Sequence, residues 1–206
     1  MSRDTKKRIL ETATQMIYLH GFNNTSLNDI LVGSEISKGN FFYYFKNKDE
    51  LGFAVLDKTS KEFFDRIDNL VLSSDKKPID KVFDMLDMEL STFKEKGPTG
   101  GCPLGNLAAE LSDNHEEFRS RILNVFERWT KIVQEMLDKA RADGTFPPDT
   151  DTRSLAVFII SAVEGALILM KTKRDITPLE QTIRSVKRHI NSLRKDSTAE
   201  MAGQSA

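Results

Sequence analysis

The stretch "SKGNFFYYFKNK", residues 37 to 48, holds the side chains with the clearest chemistry in the chain. Ser37 is a helix N-cap type, and Lys38-Gly39-Asn40 would form the first turn of the helix it opens. Asn40 can pair with a base edge, and Lys38 can reach a guanine or a phosphate oxygen. Gly39 carries no side chain, so a nucleic-acid backbone or base edge could come close there. Five rings follow, Phe41 to Phe45. Phe41 and Phe45, four apart, should face inward, while Tyr43 and Tyr44 should turn outward with hydroxyls able to donate to phosphate oxygens. Phe42 fits either side. Thr25 and Ser26 upstream, and Lys48 downstream, place donors at helix N-termini, where phosphates bind well.

Short helices around a tight turn are needed to hold these groups. Ile9, Leu10, Ala13, Met16 and Ile17 recur at helical spacing and predict a first helix that stops at Gly21. Ser26 and Asp29 form a capping box that opens a short helix over 26–34, and Ser37 opens another over 37–44. Asn47 and Glu50 suggest a further box at the start of a long fourth helix, with Leu51, Val55, Phe63, Phe64, Ile67 and Leu70 on its apolar side. Two short helices after a longer one make a helix-turn-helix, in which the later helix enters the major groove.

Composition narrows the classes. The chain has 206 residues, 39% hydrophobic and 30% charged, as an ordinary helix-rich globular protein would. Lys and Arg total 30 against 31 Asp and Glu, so bulk charge announces no nucleic-acid partner and only local placement can. One cysteine, Cys102, excludes an intramolecular disulfide framework and suits a reducing cytoplasm. The N-terminus has no signal-peptide core. The apolar run 155–170 is short for a membrane span and contains Glu164, so it reads as a buried helix or a subunit interface. His20, His115 and His189 are scattered without metal-ligand spacing, and no cofactor or metal is expected.

Further helical stripes follow: Ile79 to Phe93, Phe118 to Ala140 before Gly144, the apolar helix 151–173, and a last helix with Thr177 as N-cap, Pro178 at its first position and Leu179, Ile183, Val186, Ile190 and Leu193 on its apolar face. The expected fold is all-α with about nine helices. A helix-turn-helix DNA-binding domain would span 1–48, a regulatory and dimerisation domain 49–194, and a disordered tail 195–206.

The stretch "TKKRILETATQMIYLHGFNNTSLNDILVGSEISKGNFFYYFKNKDELGFAVL" resembles the N-terminal DNA-binding region of the TetR family of bacterial repressors over about residues 5 to 56. The resemblance implies an all-helical homodimer whose first three helices bind a palindromic operator and whose C-terminal domain binds an inducer. It also implies DNA contacts at Thr25, Lys38, Gly39, Asn40, Tyr43, Tyr44 and Lys48. Two positions depart from the family pattern: Glu35 stands where a turn glycine is usual, and Phe42 where a tyrosine is common.

The second half offers two sensor chemistries. In "TGGCPLGNLAAE", Cys102 precedes Pro103 and suits a helix N-terminus, which favours thiolate and reaction with electrophiles. A lone cysteine equally serves as a small buried hydrophobe. With "EGALILMKTKRDITPLEQTI", this loop is similar to the NemR-type branch, a resemblance that implies an electrophile and reactive-chlorine sensor with Cys102 reacting and Lys171 beside it. "PLGN" departs from that branch. The alternative is an apolar pocket lined by Phe93, Phe126, Trp129, Met136 and Phe158 with Glu164 as its polar group, although core packing explains any one of these side chains. Ser161, Ala162, Gly165 and Ala166 would allow close helix approach, so the last two helices should pair subunits as a four-helix interface.

The reading is a sequence-specific DNA-binding regulator, a dimeric repressor released by a small-molecule or electrophile inducer. Two alternatives compete: a helical dimer that binds proteins but no DNA, and an enzyme with Cys102 as nucleophile and His115 as base. Intact Lys38-Gly39-Asn40 and Tyr43 argue against the first, and the lack of a resolving cysteine against the second.

Overall fold

The structure, a computed structural model, describes residues 3–195. Among them it is all-helical, with nine α-helices and one π-helical turn. The chain folds as two compact units that do not follow chain order: residues up to Arg66 join Gly100–Phe126, and Ile67–Thr99 joins residues from Glu127 on.

The first unit holds α1 (Arg3–His20), α2 (Leu27–Ser34), α3 (Lys38–Tyr44), α4 (Lys48–Ile67) as far as Arg66, α6 (Pro103–Leu111) and the first turns of α7 (Glu116–Ala142). Its core gathers Ile9, Ala13 and Ile17 from α1, Ile30, Phe41 and Phe45 from the helix-turn-helix, Leu51, Val55 and Leu56 from α4, and Leu104, Leu107, Leu111, Phe118 and Ile122. Gly52 lets α4 close on this core, because a Cβ there would stand 2.5 Å from the Phe22 ring and 2.6 Å from Phe118.

The local signals place each short helix. Gly21, at φ 88°, ends α1 as expected, and its N–H donates to the Ile17 carbonyl. The expected capping box at Ser26 is present, with Ser26 Oγ accepting the Asp29 N–H and the Asp29 carboxylate accepting the Ser26 N–H. The Ser26 hydroxyl also donates to Asp29 Oδ2 at 2.6 Å, and this bond first, then the Ser26 N–H, holds the Asp29 carboxyl below its ordinary range. Glu35 takes the glycine's place in the left-handed region (φ 54°, ψ 40°). Its N–H donates to the Val32 carbonyl, and the N–H of buried Ile36 donates to that of Leu31. That is a Schellman closure, whose two bonds and apolar contact hold a conformation that a side chain disfavours by about 1 kcal/mol. The turn forms without its glycine. Ser37 then caps α3, its Oγ accepting the Asn40 N–H at 3.3 Å. At α4 the expected box is shared differently: Asn47 accepts the Glu50 N–H, while Glu50 accepts the N–H of Lys46.

The second unit holds a π-helical turn (Asp68–Leu72), α5 (Pro78–Lys96), the rest of α7, α8 (Thr152–Lys173) and α9 (Thr177–Ser192). The π-turn corrects one expectation: the widened turn buries Val71 and leaves Leu70 exposed. α9 packs on α8 and α5 through Leu179, Ile183, Val186 and Ile190, with Lys187 on Asp87 (2.6 Å) and Lys94 on Glu180 (2.9 Å) between α9 and α5. The start of α9 is also corrected. Thr177 is its first residue rather than its cap, and the Asp175 carboxylate accepts the Thr177 N–H and hydroxyl. Lys195 donates its N–H to the Thr145 carbonyl, and the rest of the expected tail lies outside the described residues.

Candidate nucleic-acid interface

α3 separates its side chains by chemistry. Phe41 and Phe45 are buried and stack on one another at 5.7 Å, while Tyr43 is 68% exposed. Lys38 and Gly39 are exposed, and Asn40 and Tyr44 are half-buried. The Tyr44 ring packs against the core and meets Tyr43 edge-on at 4.8 Å. Phe42 is exposed with its edge on Phe41. No carboxylate occurs in this helix.

Gly39 has an ordinary helical conformation, and a Cβ built on it meets nothing within 4 Å. Neither backbone strain nor internal packing calls for a glycine there. Around α3, Ser26 is exposed at the N-terminus of α2. Thr25 is buried, its hydroxyl donating to the Gly21 carbonyl at 2.7 Å, so only its acceptor lone pairs remain for another partner. Lys48 is half-buried with Nζ 4.3 Å from the centre of the Phe22 ring. Burial holds its amine below the ordinary lysine value, against the opposing pull of Asp49, Glu110 and Asp29. The structure thus brings Ser26, Lys38, Gly39, Asn40, Tyr43 and Tyr44 onto the helix-turn-helix with Lys48 at the head of the next helix.

The sensor candidates divide. Cys102 and Phe126 belong to the first unit; Trp129, Phe158, Glu164 and Lys171 belong to the second. Cys102 is half-buried and caps α6, its Sγ accepting the Gly105 N–H at 3.3 Å, with Pro103 next as expected. Phe126 packs on the first unit's core. Trp129 is buried, Glu164 half-buried and Lys171 exposed in the last turn of α8. Phe158 is 44% exposed and edge-on to His189 at 5.3 Å. It lines an open groove of about 430 Å³ on α8 and α9 with Ala162, Val186 and His189. His115 sits edge-on to Phe53 and Phe118 with Nε2 3.6 Å from Asp49. Among the described residues no three His, Cys, Asp or Glu side chains gather as a metal site.

Two side chains that sequence reasoning passed over are Tyr18 and Glu110. The Tyr18 hydroxyl donates to the Gly101 carbonyl at 3.1 Å, and its ring fills the space a Cβ on Gly100 would need. Burial, then nearby Cys102, raises its pKa. Glu110 accepts the N–H groups of Phe22 and Asn23. The available signal was a lone carboxylate between Leu107 and Leu111 on an otherwise uncharged helix.

Comparison with known proteins agrees with this geometry. Residues 9–55 match the family described as bacterial regulatory proteins, tetR family, and residues 78–186 match the tetracyclin repressor-like C-terminal domain. An uncharacterized HTH-type transcriptional regulator of Lactococcus lactis subsp. lactis is 36% identical over 86% of this chain and 89% of its own length. The HTH-type transcriptional repressor NemR of Escherichia coli K12 is 26% identical over 89% of this chain and 92% of its own. A TetR transcriptional regulator from Chloroflexus aurantiacus has the same fold, with a TM-score of 0.86 and 26% identity over 93% of this chain and 96% of that one.

Proposed function

The chain belongs to the tetR family of bacterial regulatory proteins and is a helix-turn-helix transcriptional regulator, and on that premise we propose that it is a cytoplasmic homodimeric repressor whose α3 reads a palindromic operator. The observation that carries the reading is the split face of α3, where Phe41 and Phe45 are buried while Lys38, Gly39 and Tyr43 stand exposed with no carboxylate among them. Lys38 and Asn40 supply base-edge and phosphate donors, Tyr43 a hydroxyl for phosphate, and Gly39 the clearance for close approach. Ser26 and Lys48 flank the helix with donors to the backbone. Thr25, its hydroxyl already donating inward, contributes less.

The second copy would dock on the outer side of α8. Val157, Phe158, Ser161, Gly165, Ile168 and Leu169 are all exposed there, an apolar row spaced by small residues, with half-buried Glu164 beside it at helical spacing from Ser161 and Ile168. A Cβ on Gly165 would meet nothing within its own protomer, so close helix approach is the reason we assign to it. α8 is long and apolar enough by composition to cross a membrane, yet its other side packs on α9. A two-fold partner presenting the same row would cover it, and each subunit would bring one α3 to the DNA.

Release from DNA is proposed to start at Cys102 or at the apolar side chains around Trp129 and Glu164. The N-cap position of Cys102, in a loop held to α1 through Tyr18, favours the first. The experiment is titration of the protein onto DNA upstream of its own coding sequence, with and without a thiol alkylator. Tight, salt-dependent binding that alkylation abolishes in the wild type and spares in Cys102→Ser is the expected result. Binding indifferent to alkylation moves the inducer to the Trp129 region, and no sequence preference at all ends the repressor reading.

A further inference from the structure

The helix that Cys102 opens touches the DNA-reading head at two places, and the second is a carboxylate. Glu110 Oε2 accepts the Phe22 N–H at 2.8 Å and Oε1 accepts the Asn23 N–H at 2.6 Å. Both oxygens are used, on consecutive amides of the turn between α1 and α2, where neither N–H has a helical carbonyl to meet. Bonds of this kind are charge-assisted and stronger than their neutral counterparts. Leu107 and Leu111 on either side of Glu110 are buried, so its backbone is fixed in the first unit's core. The turn closes over the carboxylate without a side chain: a Cβ on Gly21 would stand 2.9 Å from Oε2. In the loop that leads into the other end of this helix, the Tyr18 hydroxyl donates to the Gly101 carbonyl. α6 therefore grips the last turn of α1 and the residues that lead directly into the Ser26 cap of α2.

We propose that Glu110 is a positioning residue for DNA recognition: its carboxylate fixes the α1–α2 turn to α6 and so sets the orientation in which α2 and α3 are presented to DNA. The inference rests on the reading of α3 as the DNA-contacting helix, and Glu110 itself touches no DNA. It also explains why a carboxylate is present rather than an amide. Two donors need two acceptor oxygens, and a glutamine at this position offers one oxygen and turns an NH2 toward the other amide.

The test uses the full chain, an operator duplex and a scrambled duplex of equal length. Glu110→Ala is expected to weaken operator binding about ten-fold, and Glu110→Gln about three-fold, with scrambled-duplex affinity unchanged. Backbone exchange at Phe22 and Asn23 should quicken in both variants. Operator affinity equal to wild type in both, or equal weakening on both duplexes, overturns the proposal. Should Glu110→Ala fail to fold, Glu110→Gln decides by the same readings. A wild-type protein that does not prefer the operator instead removes the premise about α3. Exchange at the two amides then judges the latch alone: faster in Glu110→Gln supports it, unchanged overturns it.

Discussion

Two exposed faces of this molecule are built oppositely. On α3 the exposed positions carry Lys38, Gly39 and Tyr43 together with one apolar ring, Phe42, while the apolar anchors Phe41 and Phe45 face inward. Along the middle of α8 the exposed positions carry Val157, Phe158, Ile168 and Leu169 with Ser161 and Gly165 between them, and the exposed charges, Arg153, Lys171 and Lys173, stand at its two ends. Water satisfies the first face and is a poor solvent for the second. A surface of donors and a phenol suits a polyanion, whose affinity comes from hydrogen bonds and displaced counterions. A row of apolar side chains suits only another apolar surface, and the small residues between them let a helix approach closely. On the proposed function, the first face meets DNA and the second meets another copy of the chain.

Breaking the apolar face should have the larger effect. The double substitution Ile168→Glu and Leu169→Glu would place carboxylates in a desolvated interface, a penalty of several kcal/mol. Sedimentation should show monomers, and operator affinity should fall by about 100-fold or more, since each α3 would bind alone. Undiminished dimerisation would move the interface off α8. Breaking the polar face should act on DNA alone. Tyr43→Ala is expected to weaken operator binding about ten-fold while leaving helix content and dimer mass unchanged. Gly39→Ala sharpens the contrast further. Alanine should stabilise α3 by about 0.5–1 kcal/mol, because nothing in the protein occupies the space, yet it should still weaken operator binding several-fold. A stabilised variant with full affinity would show that no DNA atom approaches Gly39.

The polar face was largely legible in the sequence, because local rules place it. Ser26, Asp29 and Ser37 are caps whose partners lie three residues away, and the four-residue spacing of Phe41 and Phe45 puts them on one side with Tyr43 opposite. Glu35 shows where the local rule bends: a left-handed residue was required, and the bonds of Glu35 and Ile36 to Val32 and Leu31 hold a non-glycine there. The Tyr18 and Glu110 contacts were hidden for a different reason. Their partners lie 83 to 88 residues away, and no periodicity encodes such a pairing. The π-turn at Asp68–Leu72 was missed because the apolar spacing from Ile67 fits Leu70 as well as Val71, and only packing chooses between them. Phe158 shows the same limit on the outer face, where helical spacing alone could not tell a pocket lining from an interface.

The most direct test of the account is a hydroxyl-radical footprint of the protein on the DNA it selects from random duplexes. Two protected patches related by a two-fold axis, their centres separated by about one helical turn of 34 Å or a multiple of it, are the predicted result. They should be lost together in the Ile168→Glu, Leu169→Glu variant at the concentration where the wild type protects fully. A single asymmetric patch that survives in that variant, or no selected sequence at all, would contradict the assignment of α3 to DNA and α8 to the partner subunit.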